Sequence, residues 1–145
     1  MIGLTPGTWG LLATALMSLG LGFFVYTRNR SSAMHRTWLL FSVATAVWSV
    51  ATVGMMNSAN MGLALVLARL AQVVFALIPV LFLQFILLLL DERGRHESLL
   101  RWNLRAAGLF AVLGLTPLLV RSLQTEFTFQ FYPVAGSFYG FFALW

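Results

Sequence analysis

Arg69, Gln72 and Pro79 stand inside one apolar run, LARLAQVVFALIPVLFLQFILLLL, which extends from Leu67 to Leu90. A guanidinium in such a run has two physical options. It can snorkel to a headgroup layer, or it can face a bundle interior or an outward cavity, where a carboxylate, a phosphate or a lipid headgroup would suit it. At about 100° per residue, Arg69, Gln72, Ala76, Pro79 and Leu83 share one helical face. A cation, an amide, a small residue and a helix breaker on one face read as protein-facing or cavity-facing. The opposite face, with Val74, Leu81 and Leu88, is wholly apolar and suits lipid. Gln84 lies off the first face and would bond to another helix.

Other chemistry is poorly supplied. His35 and His96 fall in polar stretches between apolar runs and read as solvated loop histidines, so neither metal nor haem ligation is supported. The four acids, Asp91, Glu92, Glu97 and Glu126, also lie between the runs, which leaves no carboxylate for a proton relay inside a span. There is no cysteine, no glycine-rich phosphate loop and no nucleophile motif. No catalytic residue, no metal and no cofactor are expected of this segment.

The elements that carry these residues follow from composition. The 145 residues are 60% hydrophobic and 9% charged, with a mean hydropathy of +0.88. A soluble domain is about 45–50% apolar and about 25% charged, so the charge here cannot cover a water-exposed surface. The fold class expected is all-α, a polytopic transmembrane helical bundle with four full spans and the start of a fifth, at about 9–26, 38–56, 63–90, 104–120 and an incomplete 138–145. Thr5-Pro6-Gly7-Thr8 reads as a turn and helix cap before the first run. Ser18 and Gly22, four apart, would let a second helix approach closely. Ser42, Thr45, Ser49 and Thr52 can bond back to their own helix. Pro79 offers a kink in the overlong third run. The last apolar run has about eight residues, too few to span, so the chain reads as a fragment of a longer protein, the partial N-terminal part of a membrane region.

All nine basic residues are arginine. Arg28, Arg30 and Arg36 follow the first run, and Arg93, Arg95 and Arg101 follow the third. The second loop has none. Arginine accumulates on the cytoplasmic side, which places the N-terminus outside and loops one and three inside, in the inner (cytoplasmic) membrane. The same placement makes the lipid bilayer the partner of these charges and argues against nucleic acid. In the fourth loop, EFTFQFYP (Glu126–Pro133) alternates with period two, as a short strand does. It reads either as an aromatic belt at the outer interface or as a lid over an outward cavity near Arg69.

The layout resembles the N-terminal seven-helix membrane region of bacterial sensor histidine kinases and related signalling proteins. The resemblance rests on LFSVATAVWSV with Trp48, on LARLAQVVFALIPVLFLQF with Arg69 followed ten residues on by Pro79, and on FYPVAGSFYGFFALW with Tyr132, Pro133 and Gly136. It implies a sensor region that passes an extracellular or intramembrane signal to cytoplasmic modules, with an unknown small ligand or lipid as input. It also implies homodimerisation of the full-length protein and histidine kinase activity in the other domains. The face of Arg69, Gln72 and Pro79 is then the expected sensing face. Two other classes stay open. A transporter or channel fragment would show internal repeats or interrupted helices. A small anchor or scaffold would bind partners through DERGRHESLLRW.

Overall fold

The fold is known from a computed structural model that describes residues 6–126 and 129–145. Its elements run α1 (Pro6–Arg28), α2 (Ala33–Met56), α3 (Met61–Leu89), α4 (Glu97–Gly114), β1 (Val120–Glu126), β2 (Phe129–Ala135) and α5 (Tyr139–Leu144). Helix α1 packs on α2, α2 on α3, and α3 on α4, each pair antiparallel because short turns join them. The hairpin of β1 and β2 rests against α2 and α3.

Three of the helices, α1, α2 and α3, are long and apolar enough to cross a membrane. At 1.5 Å per residue they measure about 35, 36 and 44 Å, against a hydrocarbon layer of about 30 Å. Their packing inverts the soluble pattern. Large side chains such as Leu16, Phe23, Leu40, Val66 and Phe82 point outward, and the buried positions are mostly small: Ala15, Ala44, Ala46, Ala51, Ala64, Ala68, Ala71 and Ala76. Small residues let helix backbones close up where hydrophobic association gives no drive. Gly22 is the tightest case, since a Cβ there would lie 2.5 Å from Cβ of Ser42. The approach expected at Ser18 and Gly22 is therefore made by Gly22 against α2.

The helix ends have local causes. Asn60 accepts hydrogen bonds from the N–H groups of Gly62 (2.7 Å) and Leu63 (3.4 Å), capping α3. At its other end the N–H of Glu92 donates to the Leu87 carbonyl at 2.9 Å, with Asp91 at φ 57°, in a Schellman-type stop. In α2 the hydroxyls of Thr37, Thr45 and Thr52 donate back to Ala33, Phe41 and Trp48 carbonyls. Helix α3 is continuous through Pro79.

Several expectations are corrected. The fourth span expected at Leu104–Val120 is a helix over Glu97–Gly114, and it is not among the three candidate spans. Its start reaches back into the charged stretch, where Glu97 in the first turn complements the helix dipole. Its end comes early because Pro117 has no N–H and disfavours helical geometry at Thr116. The Thr116 hydroxyl and N–H instead both bond the Leu113 carbonyl, at 2.6 and 2.9 Å. The bundle thus has three candidate spans and not four full ones. The fourth loop, expected to show strand-like alternation only over Glu126–Pro133, contains two antiparallel strands, β1 and β2, which pair Leu123 with Pro133 and Gln124 with Tyr132. Phe127 and Thr128 of the alternating stretch lie outside the described residues, as does Thr5 of the expected cap. His35 and Arg36 belong to the first turn of α2, not to a loop.

Candidate functional site

Seven of the nine arginines gather toward one end of the bundle, while Arg69 of α3 and Arg121 of β1 lie toward the other. Arg28 and Arg30 flank the α1–α2 connection, and Arg93, Arg95, Arg101 and Arg105 flank the α3–α4 connection. Arg28 lies 4.8 Å from the Phe24 ring, Arg30 6.0 Å from the Tyr26 ring, and Arg105 5.2 Å from the Trp102 ring. Arg95 pairs with Glu92 at 3.2 Å on the surface. The α2–α3 turn and the hairpin occupy the opposite end.

At that opposite end the helices and the hairpin line a partly open cavity of about 320 Å³. Leu11 of α1 contributes one wall, and Trp48, Thr52, Met55 and Met56 of α2 another. Ala68, Ala71, Gln72 and Phe75 of α3 form the floor. Val120 of β1, Tyr132 and Pro133 of β2, and Tyr139 of α5 close the rest. A second space of about 240 Å³ adjoins it and shares Gln72, Val120, Tyr132, Pro133 and Tyr139. The cavity exists because α3 presents alanine at 68 and 71, where larger side chains would fill it. It is the size of a small-ligand site.

The walls are aromatic and apolar. Trp48 packs on Phe75 at 5.8 Å between ring centroids, and Phe75 in turn on Phe142 at 5.8 Å. Thr52 spends its hydroxyl on the Trp48 carbonyl. The Nε2 of Gln72 is buried and has no partner among the described residues.

The expected site residues divide. Gln72, Trp48, Tyr132 and Pro133, drawn from three separate stretches of sequence, meet on this one cavity. Arg69 is half-buried beside it, one turn from Gln72, and is not part of the wall. Its Nε is buried without a partner among the described residues. Pro79 is exposed, whereas on the same predicted face Ala76 is fully buried and Leu83 packs partly buried against a cluster of α3 and α4. Gly136 sits at the base of the hairpin. Its N–H donates to the Leu119 carbonyl at 2.8 Å, and a Cβ there would collide with the carbonyl oxygens of Pro117 and Leu118. Met55, Met56, Ala68, Ala71, Phe75 and Tyr139 were not singled out by sequence reasoning. The alanine spacing 64, 68, 71 is the signal that marks this face of α3.

A family model described as the N-terminal 7TM region of histidine kinase matches residues 10–143. The chain belongs to this family. Comparisons with curated proteins and with solved structures return no match. The family is the sensor region of histidine kinases, a membrane region that is not itself catalytic. The residues through which the sequence resembles the family thus include three on the wall of the cavity, Trp48, Tyr132 and Pro133.

Proposed function

We propose that this chain is the membrane-embedded input region of a two-component sensor histidine kinase and that the cavity is where its signal is received. The arginine-bearing end faces the cytoplasm of the inner membrane and the N-terminus faces out, following the bias of arginine toward cytoplasmic loops. The cavity then lies toward the outside, and the kinase domains of the full-length protein, acting as a homodimer, read the opposite end. The observation that carries this reading is the convergence of α1, α2, α3, the hairpin and α5 on one cavity at the end away from the arginine-rich α1–α2 and α3–α4 connections.

Signalling needs two packings and an occupant that prefers one of them. A tenfold shift takes about 1.4 kcal/mol, equivalent to about 55 Å² of extra apolar burial in one packing. A cavity bounded by five elements supplies that much surface for a small movement of α2 against α3. Arg69 stands beside the wall, so its role is to bias that packing rather than to hold the occupant.

The test is autophosphorylation of the full-length protein in membranes. Ala71→Phe fills the cavity floor and is expected to lock the output high or low and abolish its response. Val66→Phe, on the exposed face of the same helix, is expected to behave as wild type. Equal, wild-type output from both variants would refute the reading.

A further inference from the structure

Among the described residues, the wall of the cavity carries no arginine, lysine, histidine, aspartate or glutamate. Trp48, Phe75, Tyr132 and Tyr139 offer ring faces and edges, and Met55 a deformable thioether. Gln72 is the one amide among the described wall residues, and its buried Nε2 has no hydrogen-bond partner among them. A buried amide nitrogen without a partner is costly, and rotation of the terminal group exchanges the donor and acceptor ends. Arg69, the only charged residue of α3, is off the wall. An anion entering here would lose part of its hydration with no counter-charge on the described wall.

Resting on the reading of this cavity as the input site, we propose that its ligand is an uncharged, largely apolar molecule bearing one hydroxyl or carbonyl oxygen. The apolar body packs between the Trp48–Phe75 pair and Tyr132, and the oxygen pairs with the Gln72 amide. This inverts the ligand class suggested by Arg69 in the sequence, a carboxylate or phosphate.

Photolabelling of the whole chain in phosphatidylcholine nanodiscs tests this, with 3-azioctanol as the neutral probe and an octanoate carrying the same diazirine as the anionic one. The alcohol is expected to label residues 48–56, 68–75 and 132–139 saturably, with octanol competing. Gln72→Leu is expected to raise the half-saturating concentration about tenfold, the loss of one hydrogen bond. The octanoate is expected to label these segments at background. Saturable labelling by octanoate equal to or stronger than that by the alcohol overturns the proposal, as does alcohol labelling that never saturates. Autophosphorylation of the full-length Ala71→Phe variant separates the two levels. If it changes while the octanoate wins, the neutral ligand is wrong and the input site stands. If it does not change, the input reading falls, and the labelling alone decides what the cavity binds.

Discussion

Gly22→Ala is the sharpest test of the helix packing. A Cβ at Gly22 would stand 2.5 Å from Cβ and 2.8 Å from Oγ of Ser42, with Cδ1 of Leu39 at 3.5 Å. Carbon atoms rest about 3.5–4.0 Å apart, so α1 must retreat from α2 by about 1 Å at this point. Overpacking of this kind costs about 1–3 kcal/mol. Against it stands the helical preference of Ala over Gly, about 1 kcal/mol. Gly20, two residues earlier on the same helix, has nothing within 4 Å of its Cβ position. Gly20→Ala therefore receives the preference without the clash. The propensity cancels in the comparison, and the two variants should differ by about 1–3 kcal/mol, Gly22→Ala being the less stable. Unfolding of the membrane-embedded chain by SDS titration, followed by tryptophan fluorescence, reads this difference. Adding Ser42→Gly to Gly22→Ala should recover most of the loss, because it removes the atoms that collide. Equal stability of Gly20→Ala and Gly22→Ala, or no recovery with Ser42→Gly, would refute the α1–α2 contact.

Two further variants probe the other end of the bundle by the same titration. Gly136→Ala should loosen the hairpin base by about 1–3 kcal/mol, because backbone carbonyls of Pro117 and Leu118 cannot step aside as a flexible side chain can; limited proteolysis at the hairpin would report it independently. Arg69→Met should leave stability unchanged or raise it by up to about 1–3 kcal/mol, since it removes a buried Nε without a partner and keeps an unbranched stem; a loss of more than that would mean the guanidinium holds a partner in the membrane.

The long helices were legible because composition alone forbids a water-exposed surface, and an apolar run of sufficient length has only one regular solution in lipid. Their ends were less so. Helix α1 continues to Arg28 and α2 begins at Ala33, since helical hydrogen bonding does not stop where hydropathy does. The fourth run misled because Leu115, Leu118 and Leu119 extend the apolar pattern past Thr116-Pro117, where the backbone cannot follow as a helix. The hairpin showed in the sequence only through the alternation of β2. Its partner, VRSLQTE, alternates no large aromatic and is identified as a strand only by its pairing. At the site, Arg69 drew attention by its type, yet the wall is built from alanines, methionines and rings whose types are unremarkable in a membrane helix. Gln72 was accessible to periodicity. The gap above Ala68 and Ala71 is a property of several elements together and has no sequence signature beyond small residues at helical spacing.

One measurement tests orientation, access and coupling together. The chain contains no cysteine, so Tyr132→Cys, at an exposed position on the cavity wall, gives this region a single reactive thiol. The full-length kinase carrying it would be treated, in sealed vesicles of known orientation, with a charged membrane-impermeant thiol reagent, and autophosphorylation measured. The expected result is modification from the outer face only and a change in phosphorylation that the parent protein does not show. Modification from the cytoplasmic face, or modification from outside with phosphorylation unchanged, would contradict a sensor whose input cavity lies opposite its arginine-bearing end.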